Sequence, residues 1–206
     1  NRKEVTSKMP IGQRVQDRPE LVRDALIILN PTELRVSKFI GTSRNKQNRG
    51  AGIYDGAVAE TGKIDVLGAE AELAFAKMCN IYPADFMVLQ PKSKAKGTDD
   101  GDLTVDGINI DVKTTTHEKG MLLSTSKHTS GIDLFALIIK KGEDTFQLKG
   151  FMLADELATQ GRFGRAGGKL RRPAYVAYQD ELYSYGESVE RLKYRDREKL
   201  KKGVDT

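Results

Sequence analysis

The sequence predicts an α/β protein, a mixed β-sheet flanked by helices and preceded by a helical segment. Three observations carry that expectation. Helical patterns run up to Cys79, and the apolar period then shifts to two from Asp102. An unbroken apolar run, Leu134 to Ile139, has the character of a strand covered on both faces. The chain is 206 residues long, which suits one domain with appendages rather than two full domains. The expected division is an arm and helical segment over 1–60, a core over 61–186 and a charged helix over 187–206.

Each element has its own signal. Residues 1–17 mix charge, Gly and Pro without apolar periodicity and read as an irregular arm. Pro19 suits a first helical position, and Leu21, Val22, Ala25 and Leu26 share one helical face, so a helix is expected there. Asn30-Pro31-Thr32-Glu33 combines a capping residue, Pro at the first position and a Glu that reaches back. The helix it starts is expected to end near Gly41, because Thr42 to Gly62 has a loop's composition. A third helix over Ile64 to Cys79 puts Ile64, Leu67, Ala71, Ala74, Phe75 and Met78 at helical spacing. Phe86 to Gln90, Met121 to Thr125 and Leu134 to Ile139 read as strands, the last one central. Thr145 to Leu148 alternates before Gly150, and Leu153 to Ala158 is a short helix. Tyr175 to Tyr178 is an edge strand, and Ser188 to Lys202 a charged helix striped by Val189, Leu192 and Leu200.

Composition narrows the function classes. One cysteine, Cys79, excludes an internal disulfide framework. With only His117 and His128 beside it, the usual closed zinc sites are excluded too. No apolar run nears the roughly 20 residues that span a bilayer, and no secretory leader pattern is visible. A cytoplasmic protein without a membrane partner is the expectation. A net charge of +5 tilts toward an anionic partner.

The informative segment runs from Asp102 to Lys113. An Asp106-Gly107 pair between alternating residues is the strongest short hairpin signal, with a two-residue turn. Counting outward from that turn pairs Val105 with Ile108 and sets Asp102 opposite Asp111. The period of two puts Leu103, Val105, Ile108, Ile110 and Val112 on one face. Asp102, Thr104, Asn109, Asp111 and Lys113 fall on the other. Carboxylates opposed across a ladder have Cβ atoms about 5 Å apart. Their repulsion is of order 1 kcal/mol in water and about 3 kcal/mol at an effective dielectric near 20. A divalent cation between them removes that cost, and oxygen ligands suit Mg²⁺ or Mn²⁺. Lys113 projects beside the same place, and the Val112 carbonyl offers a further ligand. A metal with two acids and an adjacent ammonium is the equipment for phosphodiester hydrolysis.

This hairpin, Asp102 followed by Asp111-Val112-Lys113, resembles the active-site hairpin of the PD-(D/E)XK nuclease superfamily. Gly101 stands where the family name has Pro. The resemblance spans about Ile64 to Leu157 and implies a restriction-endonuclease-like mixed sheet and Mg²⁺-dependent cleavage of DNA. It also implies a further acid from the preceding helix. Glu72, on a helical face with Gly68, Ala69 and Ala76, is preferred to Glu70 for that role. The general run of the chain is similar to small bacteriophage or bacterial nucleases. The implied catalytic set is therefore Glu72, Asp102, Asp111 and Lys113, with Glu72, Asp102, Asp111 and Val112 as metal ligands.

Basic residues flank this segment in sequence: Arg44, Lys46 and Arg49 before the third helix, and Lys92, Lys94 and Lys96 leading into the hairpin. The Gly-rich stretch with Arg162, Arg165, Lys169, Arg171 and Arg172 follows. All are expected to grip a phosphate backbone. Two rival motifs fail. An EF-hand starting at Asp102 would need Glu where Lys113 stands. A phosphate loop over Gly161 to Lys169 would need Gly at Phe163 and Ser or Thr at Leu170. The function expected first is DNA hydrolysis. The alternative is an inactive nucleic-acid-binding or assembly module on the same fold, and hydrolysis of a small phosphate ester ranks third. A homodimer is left open.

Overall fold

The computed structural model describes residues 21–50, 61–81, 102–125, 131–166 and 173–201. The helix start at Asn30 works as its chemistry requires. The Asn30 side-chain oxygen accepts from the N–H groups of Thr32 and Glu33, both at 2.9 Å. The Asn30 N–H donates back to Glu33 at 2.6 Å. This box opens α1 (Pro31–Gly50), which continues well past Gly41 instead of ending there. Arg, Lys and Gln are good helix formers, so a polar composition does not stop the helix. Gly41 also lets α1 lie against the backbone of α2 (Thr61–Met78), where a Cβ would stand 2.5 Å from the Val66 Cα. The two helices run antiparallel: Glu33 meets Lys77 at 2.8 Å and Asn45 meets Asp65 at 2.6 Å.

The helix expected from Pro19 through Leu26 does not form among the described residues. Asp24 has a φ of 64°, and Leu26–Ile28 is a strand, β1. A β-branched pair, Ile27 and Ile28, and a ladder partner outweigh a weak helical pattern. The main sheet contains β1, β2 (Leu103–Val105), β3 (Ile108–Thr115), β5 (Leu134–Lys140) and β6 (Thr145–Leu153). Their order is β1-β6-β5-β3-β2, parallel between β3 and β5 and antiparallel elsewhere. β4 (Leu122–Ser124) and β7 (Tyr175–Ala177) form a separate two-stranded sheet. β7, read as an edge strand, has β4 as its one named ladder partner and is buried. Two further helices are α3 (Ala154–Leu157) and α4 (Tyr185–Lys201).

The result is a mixed sheet flanked by helices, with a core on each face. Ile108, Ile110 and Val112 of β3 share the larger core with Ala71 and Phe75 of α2 and with Val189 and Leu192 of α4. Phe135 and Leu137 of β5 point the other way, toward Leu122, Leu157 and Tyr175. β6 does not stop before Gly150 but runs on to Leu153. Leu137 pairs with Gly150 and Ile138 with Leu148, which leaves Lys149 as an extra residue in a bulge. Gly150 has a φ of 139°, and a Cβ there would meet the Tyr183 carbonyl at 2.7 Å. The strand expected at Phe86 to Gln90 lies outside the described residues. Among the described residues no helix is long and apolar enough to cross a membrane.

Candidate active site at the sheet edge

The turn that builds the site has the expected form. Asp106 and Gly107 have φ of 51° and 78°, the left-handed pair that a type I′ turn needs. It pairs Val105 with Ile108 and Leu103 with Ile110. The apolar face of the hairpin is buried throughout, Thr104 is exposed and Asn109 half-buried. The regular ladder then ends. The Asp102 N–H donates to the Ile110 carbonyl at 3.0 Å, and the Val112 N–H donates to Asp102 Oδ2 at 2.8 Å. The carboxylate thus supplies the acceptor that a further rung of β2 would have provided. Asp102 and Asp111 are therefore not a simple opposed pair on the ladder. Asp102 turns in along the edge of β3, while Asp111 points to the face of its neighbour Phe135 and is only 5% exposed.

The electrostatics follow from this placement. Burial, then the negative charges of Glu72 and Asp111, hold the Asp102 carboxyl well above the usual carboxylate range. Lys113 and the Val112 N–H act in the opposite direction. Lys113 Nζ lies 2.5 Å from Asp111 Oδ1 and 5.7 Å from the centre of the Phe135 ring. That same Oδ1 is buried and accepts no aligned hydrogen bond. Because a strand residue directs its N–H and C=O to the same side, the Val112 carbonyl looks along the edge where β2 has ended.

The two helix acids go separate ways, as positions two apart on α2 must. Glu72 accepts from Arg44 Nη1 through both oxygens, at 2.8 and 2.7 Å, and its charge reaches Asp102. Glu70 pairs with Lys140 at 2.5 Å. Sequence reasoning placed Arg44 on a nucleic-acid surface and missed this pairing. The partners are 28 residues apart, and no local pattern signals the contact.

Among the described residues no group of three or more His, Cys, Asp or Glu side chains is arranged to hold a metal ion. Glu72 is engaged by Arg44 and Asp111 by Lys113, while Asp102 accepts from the Val112 N–H. Mg²⁺ is ordinarily bound by one or two carboxylates, with water and phosphate filling the remaining positions.

A family model, described as a family of unknown function (DUF5843), matches residues 22–149. The chain belongs to that family. The DUF5843 span covers Glu72, Asp102, Asp111 and Lys113 and ends inside the bulge of β6. No curated protein and no solved structure matches the chain.

Of the basic residues expected to grip a phosphate backbone in this DUF5843 protein, Arg44 is paired with Glu72. Lys46 is exposed on α1, and Arg49 lies in the last turn of α1, its side chain outside the described residues. Lys92, Lys94, Lys96, Lys169, Arg171 and Arg172 also lie outside them. Arg162 and Arg165 both pair with Glu181, at 3.2 and 2.6 Å. Arg165 also lies 5.0 Å from the Tyr178 ring centre. These two arginines brace their own loop against the segment after β7.

Proposed function

We propose that this chain is a metal-dependent nuclease of the PD-(D/E)XK type, cleaving DNA at the edge of β3. One arrangement carries the reading: the half-buried Asp102, accepting from the Val112 N–H where β2 begins, feels the charges of Glu72 and Asp111, with Lys113 2.5 Å from Asp111. A perturbed carboxyl gathered with other acids and a cation is a pattern found at functional sites. Asp102, Asp111 and the Val112 carbonyl would hold the metal, with Glu72, paired to Arg44, beside them. Bound Mg²⁺ or Mn²⁺ supplies Lewis-acid polarisation of the phosphate and a more acidic water. Lys113 orients the attacking water and meets the negative charge that grows on the phosphate. Among the described residues β2 pairs with β3 only from Ile108 to Ile110.

A second reading has an observation of its own. Arg44 and Lys113 already neutralise Glu72 and Asp111, which suits a module that binds nucleic acid without turnover. Plasmid and short single-stranded DNA incubated with Mg²⁺, Mn²⁺ or EDTA separate the two. The nuclease reading expects metal-dependent cutting that falls by roughly a hundredfold or more in Asp111→Ala and Lys113→Ala, both still folded by circular dichroism. Binding without cleavage in every metal supports the module. A variant that cuts as fast as the parent removes the assignment.

A further inference from the structure

At the other end of α2, between α1, the first turns of α2 and the ends of β3 and β5, lies a groove of about 720 Å³. That volume is in the ordinary range for small-molecule sites. Its charged lining is Lys38, Lys63, Lys140 and Lys141 against one carboxylate, Glu70, with the Thr116 hydroxyl beside them. Val66 and Leu67 give it an apolar floor. Lys38 comes from α1, Lys63 from the start of α2 and the other two from the end of β5 and the turn after it, so the tertiary fold creates this concentration of charge.

Two of the lysines are held in place. Lys140 is fixed by Glu70 at 2.5 Å and lies 5.4 Å from the Phe146 ring centre. Lys141 is ion-paired to Glu118 outside the groove. The first turn of α2, which contributes Gly62 and Lys63, carries no acid, whereas α1 has Glu33 there and α4 has Glu187. The positive end of that helix therefore adds to the lysines. Four ammonium groups brought to one concavity from different elements favour an anion there. Lysines on different elements recognise phosphate as point charges, without the planar match a carboxylate–arginine pair requires.

We infer that this groove binds the phosphate group of a nucleotide or of a nucleic-acid strand, with the sugar or base against Val66 and Leu67. It is separate from the Asp111 site: its Thr116 lies five residues beyond Asp111 along the chain of β3, roughly 16 Å at a strand's rise per residue. The inference does not rest on cleavage at Asp111, and binding can be read in EDTA.

The probes are thymidine 5′-monophosphate, by calorimetry, and a short labelled single-stranded oligonucleotide, by fluorescence anisotropy. The variants are Lys38→Glu, Lys63→Glu and their double, with Lys38→Arg as a charge-preserving control. Lys38 and Lys63 are exposed, so charge reversal leaves the core intact. Expected is a loss of affinity of roughly tenfold or more in the double variant, the scale of one charge-assisted hydrogen bond, with Lys38→Arg near the parent. Binding of the mononucleotide identifies a free nucleotide as ligand. Binding of the oligonucleotide alone, still lost in the double variant, identifies the phosphodiester backbone. No binding of either probe, or binding that the double variant leaves unchanged, overturns the inference.

Discussion

At Asp102 a carboxyl is held in a place that favours its neutral form. Its folded-state pKa lies above its unfolded value, because burial and the charges of Glu72 and Asp111 disfavour ionisation. The sign for stability follows by linkage: the proton contributes fully below the ordinary carboxylate range, and that contribution is lost as pH rises through the elevated value. Asp102→Asn keeps an oxygen for the Val112 N–H and removes the charge. The metal-free variant is therefore expected to melt a few degrees above the parent at neutral pH, about 1 kcal/mol in a chain of this size. The gap closes on acidification. Mg²⁺ or Mn²⁺ is expected to raise the parent's Tm and leave the variant's unchanged, since a ligand carboxylate must give up its proton to bind metal. Differential scanning fluorimetry across pH, with and without metal, measures both effects. A variant less stable than the parent at neutral pH contradicts the account. Much of this was legible beforehand: Asp106-Gly107 specifies its own turn, and the period of two then sorts the hairpin. The carboxylate that replaces a backbone rung was not, because it depends on where β2 stops. Arg44 on Glu72 was invisible for a similar reason, since only the packing of α1 on α2 brings them together.

For the elements, local chemistry and tertiary partners divide the decisions. α2, β3 and β5 are readable because apolar periodicity and length agree with the final environment of each. β1 is not: its identity as a strand comes from pairing with β6, more than a hundred residues away. The second half of α1 is not either, because its polar residues resemble a loop until α2 packs beside them. Gly41 is the point where this packing is most sensitive. Gly41→Ala sets a methyl 2.5 Å from the Val66 Cα and 2.7 Å from the Asp65 carbonyl, both backbone atoms that cannot swing aside. The expected cost is about 1–3 kcal/mol, seen as a lower midpoint in urea denaturation with a similar slope. Cleavage, if present, should fall too, since Arg44 loses its hold on Glu72 as α1 shifts. Unchanged stability would mean that the two helices are not this close.

On the scale of the whole molecule, the larger core lies mostly within the DUF5843 match, and the smaller one draws heavily on residues beyond it: Met152, Leu157, Tyr175, Ala177 and Leu182. Asp111 and Lys113 stand on the sheet face that carries Phe135 and Leu137 of this second core. The net charge of +5 becomes useful only where the fold concentrates it. If nucleic acid is the partner, affinity for an oligonucleotide is expected to fall linearly on a logarithmic plot against salt. The slope should be shallower in Lys38→Glu/Lys63→Glu by about one to two contacts. A salt-independent affinity would exclude backbone recognition as the main source of binding.

The extra residue at Lys149 has a consequence for how this chain can vary. On its N-terminal side Phe146 and Leu148 belong to the larger core; beyond it Phe151 and Leu153 do, while Met152 turns to the smaller one. The parity of inward positions thus inverts at a single point. Losing or gaining one residue there would not shorten or lengthen a loop. Losing Lys149 would leave Ile138 opposite Leu148 and Leu137 opposite Gly150, with Leu148, Phe151 and Leu153 at alternate positions, so a regular ladder would replace the bulge and Phe151 would keep its edge-on stacking with Phe75 and Tyr185. Loss of one residue elsewhere in β6 would exchange the occupants of the two interiors, so single-residue shortening of this strand is tolerated at the bulge alone.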